Sequence, residues 1–276
     1  MIVVRTIAEV RAALQPHRAA PPIGFVPTMG ALHEGHAALF RAARGECALV
    51  VASVFVNPRQ FNDPADLAAY PRDEARDAAI AATAGVDVLF VPGAAEIYPA
   101  TFATTVDVQG PARGCEGANR PGHFQGVATV CLKLFTIVTP DVVYLGQKDA
   151  QQVAVLQQLV ADVHLPIAVR VAPTVRDADG LALSSRNARL SAAERAQAAA
   201  IPRALRAGLD AHRRGADPAA AARAALGVLE VDYLAVAQLH GQPTLVLAVR
   251  VGRVRLIDNV PLDRPALAGF GGGDAP

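Results

Sequence analysis

From residue 48 to 56 the chain is almost unbrokenly apolar and β-branched, the pattern of a central parallel strand covered on both faces. Shorter apolar runs at 23–26, 86–91, 141–145 and 167–171 read as further strands. Before and between them, apolar residues recur at helical spacing over 6–19, from about 33 to 44, and over 73–84, 127–138 and 151–163. Thr6 suits the cap of the first helix and Asp149 that of the last, while Pro21 and Pro22 end the first. Strands and helices in this rhythm predict a doubly wound α/β fold with a parallel sheet. Residues 57–64 read as a polar, proline-rich loop and 93–125 as irregular. Residues 113–126 are rich in glycine and cations, which fits either a loop closing over an anion or a structureless segment.

Beyond Pro173 the texture changes. Residues 174–187 are polar, and Ser191 and Glu194 are spaced as a capping box that opens an alanine-rich helix, kinked at Pro202. Asp217-Pro218 reads as an N-cap followed by the first helical position. Residues 231–237, 244–251 and 253–258 then alternate like strands joined by short turns, predicting an antiparallel sheet. The chain is therefore expected to divide into a domain over 1–174 and a smaller α/β domain over 175–276, with a glycine-rich tail at 269–273.

Composition narrows the classes. A formal charge of +1 gives no general pull toward nucleic acid. Only two of the 26 basic residues are lysines, Lys133 and Lys148, in a chain whose default cation is arginine. Cys47, Cys115 and Cys131 are scattered and form no CxxC pair, which argues against a disulfide framework and fits a reducing compartment. The longest apolar run, Cys47 to Val56, is too short to span a bilayer. The N-terminus lacks a charged segment followed by a long apolar core. A cytoplasmic protein without membrane contact is expected.

The candidate chemistry centres on Phe25-Val-Pro-Thr-Met-Gly-Ala-Leu-His-Glu-Gly-His36, read as a strand end, a tight turn and a helix opening near His33. His33 and His36 lie one helical turn apart and share a face, and Gly30 and Gly35 leave room beside the backbone. Free N–H groups at a helix start, with imidazoles beside them, suit a polyphosphate. Either histidine alone reads better as a satisfied core or surface residue, the whole twelve-residue string does not, and no carboxylate or cysteine is spaced to complete a zinc site. Two more stretches carry donors near predicted strand ends. Gly146–Asp149 contains Lys148, a compact charge for phosphoryl oxygens, and Ser184, Ser185 and Arg186 add hydroxyl, amide and guanidinium donors. Gln60 and Gln152 are suited to hold a small polar acid without adding repulsion, with Val54, Phe55 and Phe61 as an apolar wall.

The H-x-G-H at 33–36 resembles the signature of nucleotidyltransferases that attack the α-phosphate of ATP. Taken with Phe55–Phe61, Arg120-Pro-Gly-His-Phe124, Gly146–Gln152 and Leu183–Asn187, in this order and spacing, the chain resembles the pantothenate synthetase family over nearly its whole length. That resemblance implies a Rossmann-like N-terminal domain with a smaller lid domain, usually in a homodimer. It implies that ATP and pantoate form a bound pantoyl adenylate with release of pyrophosphate, and that β-alanine then displaces AMP to give pantothenate. ATP would be lined by Met29, Gly30, Ala31, Leu32, His33, Glu34, Gly35 and His36, with His36 at the family's proton-donor position. Gly146, Gln147, Lys148 and Asp149 would bind ATP, Lys148 at the phosphates and Asp149 at the ribose. Val175 would lie on the adenine side, and Leu183, Ser184, Ser185 and Arg186 would close over the phosphates. Gln60, with Asn57 beside it, would contact pantoate and β-alanine, and Gln152 would hold pantoate. His33, His36, Lys148 and Arg186 are the expected electrostatic stabilisers. Mg2+ is expected with ATP, its protein ligand unassigned apart from Asp77 as a candidate. Ala150, Gln125 and Cys131 depart from commoner family residues without removing a needed donor. An adenylyltransferase that leaves AMP on a phosphorylated acceptor would not explain the two glutamines or the second domain. A class I aminoacyl-tRNA synthetase fragment lacks its lysine loop here. A non-catalytic nucleotide-binding module is the alternative from another class.

Overall fold

The computed structural model describes residues 1–19 and 22–263, so Pro21 and the tail at 269–273 lie outside the described residues. Two compact units are present: Met1–Gly146 with Gln152–Ala172, and Gln147–Gln151 with the chain from Pro173 on. Residues 147–151, read from sequence as part of the first domain, thus group with the second unit.

In the first unit, β1 (Ile2–Val4), α1 (Ile7–Leu14), β2 (Ile23–Thr28), α2 (Glu34–Glu46) and β3 (Leu49–Val54) come first. They are followed by α3 (Pro64–Ala68), α4 (Glu74–Thr83), β4 (Val88–Phe90) and the short helices α5 (Ala94–Ile97) and α6 (Cys115–Asn119). Next are α7 (His123–Val138), β5 (Val142–Gly146), α8 (Ala150–Asp162, whose first two residues group with the second unit) and β6 (Ala168–Ala172). The six strands form one parallel sheet in the order β1-β4-β3-β2-β5-β6. The chain steps outward from β2 through β3 to β4, then crosses back to β5 and β6. Strand order therefore reverses between β2 and β5, and open α/β sheets bind ligands beyond the carboxyl ends of such a pair.

The apolar run at β3 is buried on both faces, as its pattern requires. Val51 packs with Phe25, Phe90 and Val143 against Leu14 of α1, Phe135 of α7 and Leu156 of α8. Val50 and Ala52 pack with Val26 and Leu89 on the opposite face, against Phe40 of α2 and Ala81 of α4. Each large side chain so buried contributes about 1.5–3 kcal/mol.

Local chemistry sets the helix ends. Thr6 and Glu9 form a capping box for α1, and Asp73 caps α4. α1 stops at Leu14 rather than near 19 and continues as a 3-10 turn over Gln15–His17. Pro16 causes this, having no N–H for the α ladder and a ring that crowds the preceding turn. β1 has no counterpart in the sequence reading, because three residues are too few to show alternation. The 57–64 loop contains a 3-10 turn at Pro58–Gln60 and the Asp63 cap of α3. Residues 113–126, expected to be a loop or structureless, instead contain α6 and the first turn of α7, with Glu116 and His123 buried.

The second unit contains α9 (Ala192–Ala198), α10 (Ala200–Arg213), α11 (Pro218–Leu226), β7 (Glu230–Leu239), β8 (Gln242–Val251) and β9 (Val254–Pro261). The strands pair antiparallel in the order β7-β8-β9. Leu245, Leu247, Val249 and Leu256 pack against Ile201, Leu205 and Leu209 of α10 and Leu226 of α11. The kink expected at Pro202 is a full break at Ala199, three residues earlier, which places Pro202 in the first turn of α10 where no intrahelical N–H is needed.

Candidate active site

The turn that follows β2 is held from both sides. Gly30 (φ +80°) and Ala31 (φ +52°) both take left-handed backbone conformations. A Cβ at position 30 would lie 2.8 Å from Asp77 Oδ2 and 2.9 Å from Val54 Cγ1, so glycine is required twice over. Asp77, only 2% exposed in the first turn of α4, explains how the turn persists. Its Oδ2 accepts the Ala31 N–H at 2.9 Å and its Oδ1 accepts the Leu32 N–H at 2.7 Å. Both carboxylate oxygens thus serve the backbone, which gives Asp77 a structural task beside its reading as a candidate magnesium ligand. Asp77→Asn offers one acceptor where two donors point, and should cost about 1–3 kcal/mol of stability. Chemical denaturation checks this; an unchanged midpoint at constant m-value would remove Asp77 from the account of the turn.

The two histidines complete the same turn. His33 is the N-cap of α2, and its Nδ1 accepts the Gly35 N–H at 3.1 Å. The Nδ1 of His36 accepts the His33 N–H at 3.3 Å, so two imidazoles perform the roles of a capping box. Their ring centroids are 4.2 Å apart. An Nδ1 that accepts carries no proton, so each neutral ring carries its proton on Nε2. The Gly30 N–H meets Thr28 Oγ1 at 3.1 Å, and the N–H groups of His36 and Ala37 meet the His33 carbonyl at 2.8 and 3.1 Å. The expectation of free backbone donors at this helix start is therefore corrected: Asp77, Thr28, the imidazoles and the His33 carbonyl have taken most of them. Met29 is half-buried, Leu32 belongs to the core, and Glu34 is exposed with its carboxylate on Arg41.

Gln60 is fixed just as firmly. Its Oε1 accepts from Asn57 Nδ2 at 2.9 Å, and its Nε2 lies 3.0 Å from Met29 Sδ. The Gln60 carbonyl accepts from Arg120 Nη2 at 3.0 Å and lies 2.9 Å from His123 Nδ1. Asn57 is 1% exposed, gives a second bond to the Gly126 carbonyl at 3.1 Å, and accepts from the Tyr98 hydroxyl at 2.9 Å. Burial pushes the Tyr98 hydroxyl up to about 12, so it remains a donor at neutral pH. Gly126 lets α7 approach: a Cβ there would lie 2.3 Å from the Arg59 carbonyl. The Arg120–His123 pair gives the Arg-Pro-Gly-His-Phe stretch a physical task that its sequence alone did not reveal. Gln152, half-buried, lies in the first turn of α8.

Within the second unit, Gln147–Asp149 form a 3-10 turn continuing from Gly146, and Lys148 Nζ lies 3.3 Å from Asp149 Oδ1. Ser184 accepts the Arg186 N–H at 3.2 Å and caps a 3-10 turn over Ser185–Arg189. Leu183 donates its N–H to the Val175 carbonyl at 2.9 Å, tying the two ends of the polar stretch together. Arg176, within that stretch, pairs in bidentate fashion with Asp258 of β9 at 2.6 and 2.9 Å.

A family model described as pantoate-beta-alanine ligase matches residues 2–261. The pantothenate synthetase of Cereibacter sphaeroides is 51% identical to this chain, covering 94% of it and 99% of the relative. The crystal structure of pantothenate synthetase from Thermus thermophilus is similar at a TM-score of 0.89 and 46% identity, over 95% of this chain and 99% of that one. The pantoate-beta-alanine ligase of Francisella tularensis, complexed with beta-gamma ATP and beta-alanine, is similar at a TM-score of 0.84 and 37% identity, over 96% of this chain and 99% of that one. A match along nearly the entire length, on a fold that keeps the paired histidines and the braced glutamine in place, leaves one conclusion: the chain belongs to the pantoate-beta-alanine ligase family.

Proposed function

We propose that this chain joins pantoate to β-alanine at the expense of ATP, through a bound pantoyl adenylate, releasing pyrophosphate and AMP. The observation that carries the reading is the His33–His36 pair, whose Nδ1 atoms cap α2 and so fix the rings as Nε2–H donors beside the end of β2. Family membership and the Francisella tularensis ligase complexed with beta-gamma ATP and beta-alanine support it.

In the first step a pantoate carboxylate oxygen bonds to the α-phosphorus, and the bond from that phosphorus to the pyrophosphate oxygen breaks. Pantoate is already ionised at neutral pH, so no proton need move. The work is to screen like charges, align them in line and stabilise the leaving group. His33, His36, Lys148 and Arg186 supply donors and positive charge for the phosphates. The neutral amides of Gln60 and Gln152 hold pantoate, and Asn57, wholly engaged with protein groups, keeps Gln60 in its rotamer. In the second step the β-alanine nitrogen bonds to the activated carbonyl carbon, AMP departs with the electron pair, and the amine loses a proton. The residues Met29–His36, Gly146–Asp149, Val175 and Leu183–Arg186 complete the ATP-binding set, with Asp149 at the ribose.

Mg2+ would arrive with ATP and offset the charge of its phosphates. Among the described residues no group of three His, Cys, Asp or Glu side chains could hold a metal ion, and Asp77 is occupied by the backbone. No step is therefore routed through a protein-held ion. A homodimer working in the cytoplasm completes the proposal. The free thiols of Cys47, Cys115 and Cys131 are consistent with that compartment. No helix among the described residues is long and apolar enough to cross a membrane.

The test follows pyrophosphate and AMP from ATP, Mg2+ and pantoate, with β-alanine withheld and then added. About one equivalent of pyrophosphate per site, then turnover to AMP and pantothenate, is the expected result. Silence with pantoate but release with another acid would retain the nucleotidyltransferase and discard the substrate. Gln152→Ala should raise the pantoate KM by about tenfold or more while moving the ATP KM much less. Equal shifts in both constants would contradict its assignment to pantoate.

A further inference from the structure

The turn that bears Lys148 has little structure of its own, being three residues of 3-10 helix between a strand and a helix. What fixes it is Asn259. Its Nδ2 donates to the carbonyls of Gln147 at 2.9 Å and Lys148 at 2.8 Å, and its Oδ1 accepts from Gln147 Nε2 at 3.1 Å. Both donor hydrogens and the acceptor oxygen of one carboxamide are spent on two consecutive residues. Asn259 is 4% exposed, so these bonds form out of competition with water. Its own backbone N–H is held by Asp258 Oδ1 at 2.8 Å.

Successive strand residues point to opposite faces. Asp258 and Asn259, adjacent on β9, therefore reach two different segments. Asp258 holds Arg176 in the polar stretch that carries Val175 and Ser184–Arg186, and Asn259 holds the Lys148 turn. A single dipeptide of β9 thus braces both cationic elements of the second unit.

We infer that Asn259 is a positioning residue for the adenylation step, acting through the Lys148 backbone; this rests on the ATP-binding reading above. Alanine at 259 frees two carbonyls and lets the turn relax, displacing the ammonium from the phosphates. Aspartate at 259 is worse, because its carboxylate oxygen would face those same carbonyls.

The test measures ATP binding to the full chain by titration calorimetry, in a two-by-two set with Lys148→Ala. Asn259→Ala should weaken ATP about tenfold in the otherwise unaltered protein and less than twofold in the Lys148→Ala background. Asn259→Asp should weaken it further than alanine does. A residue that merely stabilised the fold would give the same factor in both backgrounds, and that result would overturn the inference. Gln147→Ala, which removes one of the three bonds, should show the same coupling at smaller size; should Asn259→Ala fail to fold, this variant decides. Unchanged ATP binding in both Asn259→Ala and Gln147→Ala would also overturn it. Failure of the unaltered chain to bind ATP at all would sink the ligase reading itself, and this inference with it.

Discussion

Lys148→Ala should reduce pyrophosphate release in a single turnover with ATP and pantoate by about 10²–10³-fold, the scale of losing one preorganised transition-state donor. The fold should survive. The Lys148 side chain is one-fifth exposed, its partner Asp149 is nearly half exposed and the contact is 3.3 Å, so a solvent-screened pair worth at most about 1 kcal/mol is all that stability loses. Lys148→Arg keeps the charge but replaces a compact ammonium by a planar fork, and should restore only part of the rate. Quench-flow measurement of pyrophosphate, with circular dichroism confirming the fold, separates these effects. Normal release by a folded Lys148→Ala protein would end the assignment of this cation to the phosphates.

Asp258→Ala should be the most destabilising single change outside the apolar cores. The Asp258 and Arg176 side chains are 1% and 6% exposed, and Arg176 also donates to the Gly180 carbonyl at 3.0 Å. Removing the carboxylate leaves a guanidinium buried without its counter-charge, at a cost of about 3–5 kcal/mol. Urea denaturation read by a probe in the second unit provides the measurement. Replacing both partners by apolar residues of similar volume should recover much of the loss, since the penalty lies in the orphaned charge rather than in the missing attraction. A single-variant loss below about 1 kcal/mol would mean that water reaches Arg176 and the pair is not buried in solution.

The parts of the fold legible in sequence were those decided locally. The β3 run is apolar throughout because both of its faces are covered. Thr6, Ser191 and Asp217 cap their helices through residues three positions away. The antiparallel strands β7 to β9 were legible as short runs joined by turns, with Leu245, Leu247 and Val249 on the face that meets α10 and α11, although β8 is buried on both faces over 244–249. Pro16 was equally local, yet the helix was expected to run on to Pro21 and Pro22, and the missing N–H at position 16 ends it earlier. The site was half legible. The spacing of His33 and His36 put both on one face, but not their Nδ1 atoms onto the backbone, because that depends on the rotamers adopted at the turn. Asp77 looked like a free acid because its partners lie 45 and 46 residues away and meet it only when α4 packs beside the turn. Tyr98 and Asn259 carried no sequence signal at all, since each matters only through the segment it reaches in space.

The bonds from Asn259 to Gln147 span 112 positions of sequence, and they have a consequence for the order of synthesis. A nascent chain emerges N-terminal end first, and its domains fold as they appear. The histidine turn is held by Thr28, Asp77 and its own imidazoles, all in the first third of the chain, and can form early. The Lys148 turn cannot take its final shape until β9, the last described strand, has left the ribosome. An unfinished chain would thus hold its histidine turn before its lysine turn, and β9 is the segment that completes the latter.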